Sequence, residues 1–463
     1  MKYTILVNKD NKFNDKYLSK YELVETTNIN NNKILVEKET YNNYLELKDY
    51  LSTINIEIGI DSAYRSNEEQ QEIYNYYLDK FGQEYCDNYV APTGYSEHLT
   101  SLAIDFYIKK DDSFPYDDTE VDDWKEYEEI HKILHKYGFI LRYPKGKEKI
   151  TGYNYEPWHI RYVGKVPAKI IYENNLTLEE YLKEFGGVIY INKPKGVTSF
   201  DVVNDISHLF GIKRVGHTGT LDPLAEGVLV VCIGKATKIV ELLTSLDKEY
   251  ISEAKLGIKT DTYDLEGTIT DRKEINNTNI EDIIKSFKKT YMQEVPIYSA
   301  IKVNGKKLYE YARSNKKVTL PKKEVTIKEI ELLDYRDDYF KIKTTVSKGC
   351  YIRSLINDIG ISLNTYATMT SLIRTKQGNI KIEDTNTIED IKNNNYTIHS
   401  IEESLNYKII VVDKELEFKI SNGMKIDNIW NIKNKVIFKN EDNKLLGIYE
   451  VDNKKLRTWK NFN

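Results

Sequence analysis

Two groups of residues in this sequence have the types and spacing for chemistry. In the front part, His98 and Asp105 lie seven positions apart, and Glu156-Pro157-Trp158-His159 follows some fifty residues later. Two histidines and one aspartate suffice to hold a tetrahedral zinc ion with an open fourth position, and a nearby glutamate can take a proton from water there. Spacing alone does not favour a metal, because lone histidines are mostly structural or exposed. In the back part, the run from Arg214 to Leu229 carries glycines at 216, 219 and 227, with Pro223 directly after Asp222. Glycine lets backbone approach a ligand closely, and proline keeps the residue before it out of helical geometry, so a carboxylate is displayed on a stiff loop. Local chemistry by itself still favours an ordinary turn.

The elements that must position these residues are legible in the pattern. A strand over Val188 to Asn192 runs into the turn Lys193-Pro194-Lys195-Gly196, after which Ser199 can cap a helix. Val202, Val203, Ile206, Leu209 and Phe210 recur at helical spacing, and Gly211 closes that helix. Ser66 with Glu69 forms a capping box that opens a helix after Arg65. The helical stretch before Gly186-Gly187 ends where a new apolar strand begins, which marks the main boundary. Short alternating segments after Asn406 mark a second one. The resulting division is 1–174, a linker at 175–186, 187–405, and a small β module at 406–463.

A chain of 463 residues exceeds what one hydrophobic core usually organises, so two or three domains are expected. Hydrophobic content of 40% and charged content of 30% are ordinary for a globular protein, and no run approaches eighteen apolar residues. With no membrane span or secretory leader evident, a cytoplasmic location is expected. Cys86, Cys232 and Cys350 are far apart and form no CxxC pair, which argues against a disulfide framework or thiolate zinc knuckle. The net charge of -5 hides an asymmetry: residues 1–186 hold 23 basic and 34 acidic side chains, the remainder 44 and 38. Only the back part suits a polyanionic partner, although so small a surplus does not establish one.

The Gly216-His217-Thr218-Gly219-Thr220-Leu221-Asp222-Pro223-Leu224-Ala225-Glu226-Gly227 run resembles the signature of the bacterial tRNA pseudouridine-55 synthases, the TruB family. Asn192-Lys193-Pro194-Lys195-Gly196 matches its upstream motif with Asn in place of Asp, and segments around Tyr250, Lys302 and Arg353 agree in order and spacing. The resemblance covers essentially all of 187–463. It implies an α+β catalytic domain with a mixed or antiparallel sheet, a PUA-like tail, tRNA with its T-loop as partner, and no cofactor. Asp222 would be the catalytic carboxylate. Reaching a base inside a folded loop requires extruding it and filling the vacated stack, the role implied for His217. Burial alone would raise the pKa of Asp222, so a cation is needed, and Arg353 matches the family's arginine. Tyr250 matches the aromatic residue that stacks on the uracil and takes part in late proton transfer. Lys193 and Lys302 are read as phosphate contacts or loop supports.

In the front part, Ser-x-His-x-x-x-x-Ala-x-Asp at 96–105, Tyr64-Arg65-Ser66, and the run from Gly138 through Glu156-Pro157-Trp158-His159 to Gly164 resemble the VanY-type D-alanyl-D-alanine carboxypeptidases of the M15 zinc peptidases. The resemblance implies a small α+β fold, Zn2+ held by His98, Asp105 and His159, Glu156 as general base, and Arg65 stabilising charge on the scissile carbonyl. It implies a D-Ala-D-Ala-ended peptide or peptidoglycan precursor as substrate. The family usually has Gly where Ser101 stands, which puts full activity in question. Two readings follow: a bifunctional fusion, or a single-activity pseudouridine synthase whose front domain is a non-catalytic binding or structural module.

Overall fold

The computed structural model describes residues 2–111, 113–115, 124–275, 279–314 and 316–462. Its contacts divide into two compact units, one of Met1–Phe185, Asn204–Val215 and Glu389–Tyr396, the other of Gly186–Val203, Gly216–Ile388 and Thr397–Asn463.

In the first unit, an antiparallel hairpin of β1 (Leu23–Thr27) and β2 (Lys33–Glu37) turns through an asparagine-rich loop and leads into α1 (Lys38–Thr53). Tyr44, Leu47 and Leu51 recur on one face of α1 and join the core. There follow β3 (Ile58–Ser62), α2 (Asn67–Phe81), α3 (Gln83–Tyr89), β4 (Ala103–Ile108), β5 (Phe139–Leu141), β6 (His159–Tyr162) and α4 (Leu178–Glu184). The antiparallel sheet has the order β3-β4-β6-β5. Its inner strand β4 is buried at every position, so Ile104, Phe106 and Ile108 can pack while Asp105 must find partners. The α2 capping box is present, with Ser66 Oγ accepting from the Glu69 amide and Glu69 accepting from the Ser66 amide.

The segment 175–186 is folded, with α4 opened by a capping box of Thr177 and Glu180. Residues from later in the chain complete this unit: Tyr181 OH donates to the Phe210 carbonyl at 2.6 Å, and Thr4 Oγ1 to the Gly211 carbonyl at 2.7 Å.

The second unit is built on a nine-stranded mixed sheet. Its main elements are β7 (Gly186–Lys193), the opening residues Ser199–Val203 of α5 (Ser199–Phe210), β8 (Glu226–Gly234), β9 (Lys248–Leu256), β10 (Thr290–Glu294), β11 (Lys322–Arg336), β12 (Tyr339–Val346), α6 (Ile352–Ser362) and β13 (Ala367–Gln377). Seven strands follow the order β10-β11-β12-β9-β13-β8-β7, antiparallel except where β13 runs parallel to β8, and the short strands Val215–His217 and Ile380–Lys381 pair with β8 and β13 to make nine. β9 alternates buried and half-buried positions, as expected of a strand with one face on the core. The tail contributes β14 (Lys408–Val412), α7 (Lys414–Ser421), β15 (Ile426–Asp427), β16 (Lys435–Asn440), β17 (Leu445–Asp452) and β18 (Lys455–Asn461), in the order β14-β16-β17-β18-β15 around Val436, Phe438, Tyr449 and Leu456. No helix among the described residues is long and apolar enough to cross a membrane.

Helix α5 starts differently from the sequence expectation. The cap belongs to Thr198, whose Oγ1 accepts from the Asp201 amide while Asp201 accepts from the Thr198 amide. Ser199 instead turns its hydroxyl inward, accepting from the Leu221 amide at 2.8 Å and donating to the Leu221 carbonyl at 3.0 Å. The competing demand was the loop beside Asp222, whose backbone needs a buried partner.

Ser101 follows the turn Glu97–Thr100 in the left-handed region, at φ 59° and ψ 13°, fully buried, with its Oγ bonded to the Thr100 carbonyl. A side chain in this conformation costs roughly 1–2 kcal/mol relative to glycine. Ser101→Gly is therefore expected to stabilise the first unit by about 0.5–1 kcal/mol, read as slower hydrogen exchange of the Ile104 and Phe106 amides; faster exchange would contradict this account of the turn.

Candidate active sites

In the second unit, Asp222 sits in the irregular stretch between the Val215–His217 strand and β8. Arg353, on the first turn of α6, meets it with Nε 2.9 Å from Oδ2. The guanidinium is fixed from its other side: Nη1 donates to the Thr262 carbonyl at 3.0 Å, Nη2 to the Tyr298 carbonyl at 3.1 Å, and Nη1 lies 3.5 Å from Asp264 Oδ2. Burial pushes the Asp264 carboxyl above its ordinary range despite the Arg353 charge. The Asp222 side chain retains 34% of its exposure while Arg353 retains 5%. The acid thus stands at the floor of an open cavity of about 700 Å³, not in a dry pocket, and desolvation has to come from whatever binds.

Tyr250 on β9 lines the same cavity. Its phenolic oxygen accepts from Arg374 Nε at 3.1 Å. Arg374, on β13 and 2% exposed, also donates to the carbonyls of Gly219, Val228 and Thr220 at 3.1, 3.1 and 3.0 Å. One guanidinium therefore ties both flanks of the Asp222 loop to the tyrosine. Gly227 is required there: at φ 101° a Cβ would collide with the Arg374 carbonyl.

Three other expected residues stand outside the cavity lining. Lys193 is buried and donates to the carbonyls of Pro194 and Val197 at 2.9 and 2.7 Å, which holds the turn before α5. His217 is half-buried, its Nδ1 accepting from the Gly219 amide at 3.3 Å; burial, then Arg374, lowers its pKa. Lys302 is exposed on a two-residue strand of a small hairpin.

In the first unit, register does the assembly. Asp105 on β4 is the cross-strand partner of Ser62 on β3 and of His159 at the start of β6. Ser96 caps the turn that carries His98 by accepting from its amide. His98 Nδ1 donates to the Ala63 carbonyl at 2.6 Å, which leaves Nε2 facing Asp105 Oδ2 at 3.0 Å. His159 Nδ1 lies 2.9 Å from Asp105 Oδ1 and 3.6 Å from Glu156 Oε2. Arg65 Nη2 reaches Asp105 Oδ2 at 2.9 Å, and its Nε donates to Ser62 Oγ at 2.8 Å. Burial resists ionisation of Asp105, but His98 and His159 outweigh it and hold the carboxyl well below its usual range. Burial also opposes charge on His159, yet Asp105 raises it to about 9. These side chains line a cavity of about 190 Å³ together with Glu156, Tyr143 and Trp158.

The donor set suits a metal. One ligand atom from each of His98, Asp105 and His159 lies within 4.8 Å of the others, all three residues are buried, and Asp105 Oδ1 has no hydrogen-bond partner. Two imidazole nitrogens and a carboxylate oxygen with an open side match zinc chemistry.

Arg374, Asp264, Glu97 and Glu179 were not singled out from sequence. The available signal was charge in apolar surroundings, as in Leu372-Ile373-Arg374, since buried charges must be paired.

With both geometries in hand, comparison with known proteins assigns each part. Residues 207–352 match the TruB family pseudouridylate synthase N-terminal domain, and 353–417 the tRNA pseudouridylate synthase B C-terminal domain. Residues 33–165 match the D-alanyl-D-alanine carboxypeptidase family VanY. The tRNA pseudouridine synthase B of Fusobacterium nucleatum subsp. nucleatum is 44% identical over 281 residues, covering 58% of this chain and 97% of that protein. Among solved structures, a Cbf5-Nop10-Gar1 complex aligns at TM-score 0.47 with 23% identity, over 60% of this chain and 85% of the other. A point mutant of the vancomycin resistance D,D-pentapeptidase VanY, from a VanB-type resistance cassette and in complex with Zn(II), aligns at TM-score 0.34 with 30% identity, over 40% of this chain and the whole of the other. The molecule is a pseudouridine synthase preceded by a domain that matches the VanY family. The chain belongs to the tRNA pseudouridine synthase B family.

Replacing Arg374 by Met strands three carbonyls and a phenol. Each unpaired buried group costs about 1–3 kcal/mol, so hydrogen exchange of amides in 219–228 should accelerate at least about tenfold while those of β16 hold; an unchanged loop would dismiss the clamp.

Proposed function

We propose that this chain converts the T-loop uridine at position 55 of tRNA to pseudouridine, with Asp222 as the reacting carboxylate. The observation that carries this is the ion pair of Asp222 with a buried, four-way-anchored Arg353 at the floor of a cavity large enough for a nucleoside. The guanidinium stays against the carboxylate and offers it a charged partner as bound RNA excludes water. An ionised Asp222 then either attacks the extruded nucleotide or assists glycosidic cleavage, and the freed uracil turns and is rejoined through carbon. Tyr250 stacks on the uracil, and its phenol, already accepting from Arg374, keeps its own proton available for the cavity. His217 fills the vacated stack, Lys193 supports the catalytic turn, and Lys302 meets phosphate. The PUA-like tail helps to hold the tRNA. Such a substrate argues for a cytoplasmic location.

The front domain is proposed as a zinc D,D-carboxypeptidase acting on D-Ala-D-Ala-ended peptides or wall precursors. His98, Asp105 and His159 would hold the ion, which when bound supplies Lewis acidity toward the scissile carbonyl and activates water. Glu156 takes and returns a proton. Arg65 supplies positive charge at the cavity rim, although in the free protein it is engaged by Asp105.

Asp222→Asn should reduce pseudouridine formation on a T-loop transcript to background, with tRNA affinity within about threefold of the parent because phosphate contacts dominate binding; surviving turnover would remove Asp222 from the reaction. The purified chain should contain one zinc and release D-alanine from a D-Ala-D-Ala peptide. Absence of both would leave the front domain a binding or structural module.

A further inference from the structure

Next to the His98, Asp105 and His159 cluster lies a set of buried charges that the reading above does not use. Glu97 is 1% exposed, and its Oε1 accepts from Arg142 Nε at 2.8 Å and from Arg161 Nη1 at 2.6 Å. Both guanidiniums are fully buried. Arg161 spends three further N–H groups on the carbonyls of Tyr3, Ile5 and Tyr162. Arg142 turns a fork toward Glu179 on α4, at 3.1 and 2.6 Å, and Glu179 also accepts from Asn8 Nδ2 at 3.0 Å. Two carboxylates and two guanidiniums cancel, so the set is neutral and its members cannot rotate independently.

One atom of this set is unaccounted for. Glu97 Oε2 is buried with no hydrogen-bond partner, and so is His159 Nε2, which lies 3.8 Å from it. If Glu97 served only to neutralise the arginines, its second oxygen would gain from facing a donor on one of them; it faces the imidazole instead. The two histidines of the cluster then become comparable. His98 points Nε2 at Asp105 and has its outer nitrogen tied to the Ala63 carbonyl. His159 points Nδ1 at Asp105, and Glu97 stands where the tie to its outer nitrogen belongs.

We propose that Glu97 is a positioning residue for His159, accepting its Nε2–H so that the Nδ1 lone pair faces the metal-binding cluster, and that Glu179 holds Glu97 in place through Arg142. This inference rests on the metal reading of the cluster. Closing the gap to an ordinary N–H···O distance takes a shift of under about 1 Å. The pairing is the outer-sphere arrangement by which a carboxylate fixes the tautomer and orientation of a ligating imidazole. Glu179 lies outside the matched carboxypeptidase segment at 33–165, so the site depends on a helix beyond it.

The test uses the full chain, zinc, and two readouts: affinity by competition with a chromophoric chelator, and the imidazole N–H signals of histidine-15N-labelled, zinc-loaded protein. Glu97→Asp keeps the charge that the arginines need but withdraws the oxygen from His159, whereas Glu97→Gln keeps the reach and removes the charge. The wild type should show a slowly exchanging Nε2–H from His159. Both variants should bind zinc about 10- to 100-fold more weakly and lose that protection, with protected β4 amides reporting a folded unit. Should either variant fail to fold, Glu179→Gln, at the edge of the set, is expected to weaken zinc binding in the same direction by a smaller factor. Unchanged affinity and an unchanged imidazole N–H in the folded variants would overturn the positioning role alone. A wild type that binds no zinc would overturn the metal reading, and this role with it.

Discussion

A guanidinium pinned by backbone carbonyls against a carboxylate is the constraint from which the catalytic half is built. Arg353 cannot leave Asp222 without abandoning the Thr262 and Tyr298 carbonyls, and those carbonyls sit on different loops of the same unit. The sheet exists, in functional terms, to bring those loops and the start of α6 to one place. Arg374 repeats the device from β13, binding three carbonyls and the Tyr250 phenol. Arginine suits both posts because its planar fork offers five donors in fixed directions and stays charged when buried. Asp222 is consequently held by an ion pair with an anchored guanidinium while part of its side chain remains open.

The front unit solves the same problem with a different distribution of charge. Its metal-type cluster is assembled by strand register, with Asp105 opposite His159 on one side and Ser62 on the other. Around it the protein places Arg65 and Glu97 along the cavity, with Glu97 joined to Arg142 and Arg161 and, through Arg142, to Glu179. Low dielectric strengthens each pairing and makes each omission expensive, so such a set is kept whole or not at all.

Much of this was legible in the sequence because it is local. The glycine and proline pattern around Asp222, the capping box at Ser66 and Glu69, and the spacing of His98 and Asp105 each depend on neighbours within a few positions. What stayed hidden depends on partners far away. Arg374 meets Gly219 and Thr220 more than 150 positions earlier, and Arg142 meets Glu97 across 45. The Ser199 expectation failed for the same reason, since a hydroxyl at a helix start has two possible uses and only the fold reveals that Leu221 is close enough to claim it. Nor does exposure follow from chemistry: an acid suited to a dry pocket proves to be one-third open in the free protein.

The composition of the first unit has a consequence for how the polypeptide matures. It includes Asn204–Val215 and Glu389–Tyr396, so its last parts leave the ribosome only when most of the 463 residues have been made. Vectorial synthesis ordinarily lets an amino-terminal domain settle before the next begins. Here the earliest-synthesised region takes its last contacts from a late-arriving segment, although its own core, from Val36 to Tyr162, lies wholly in the early part of the chain.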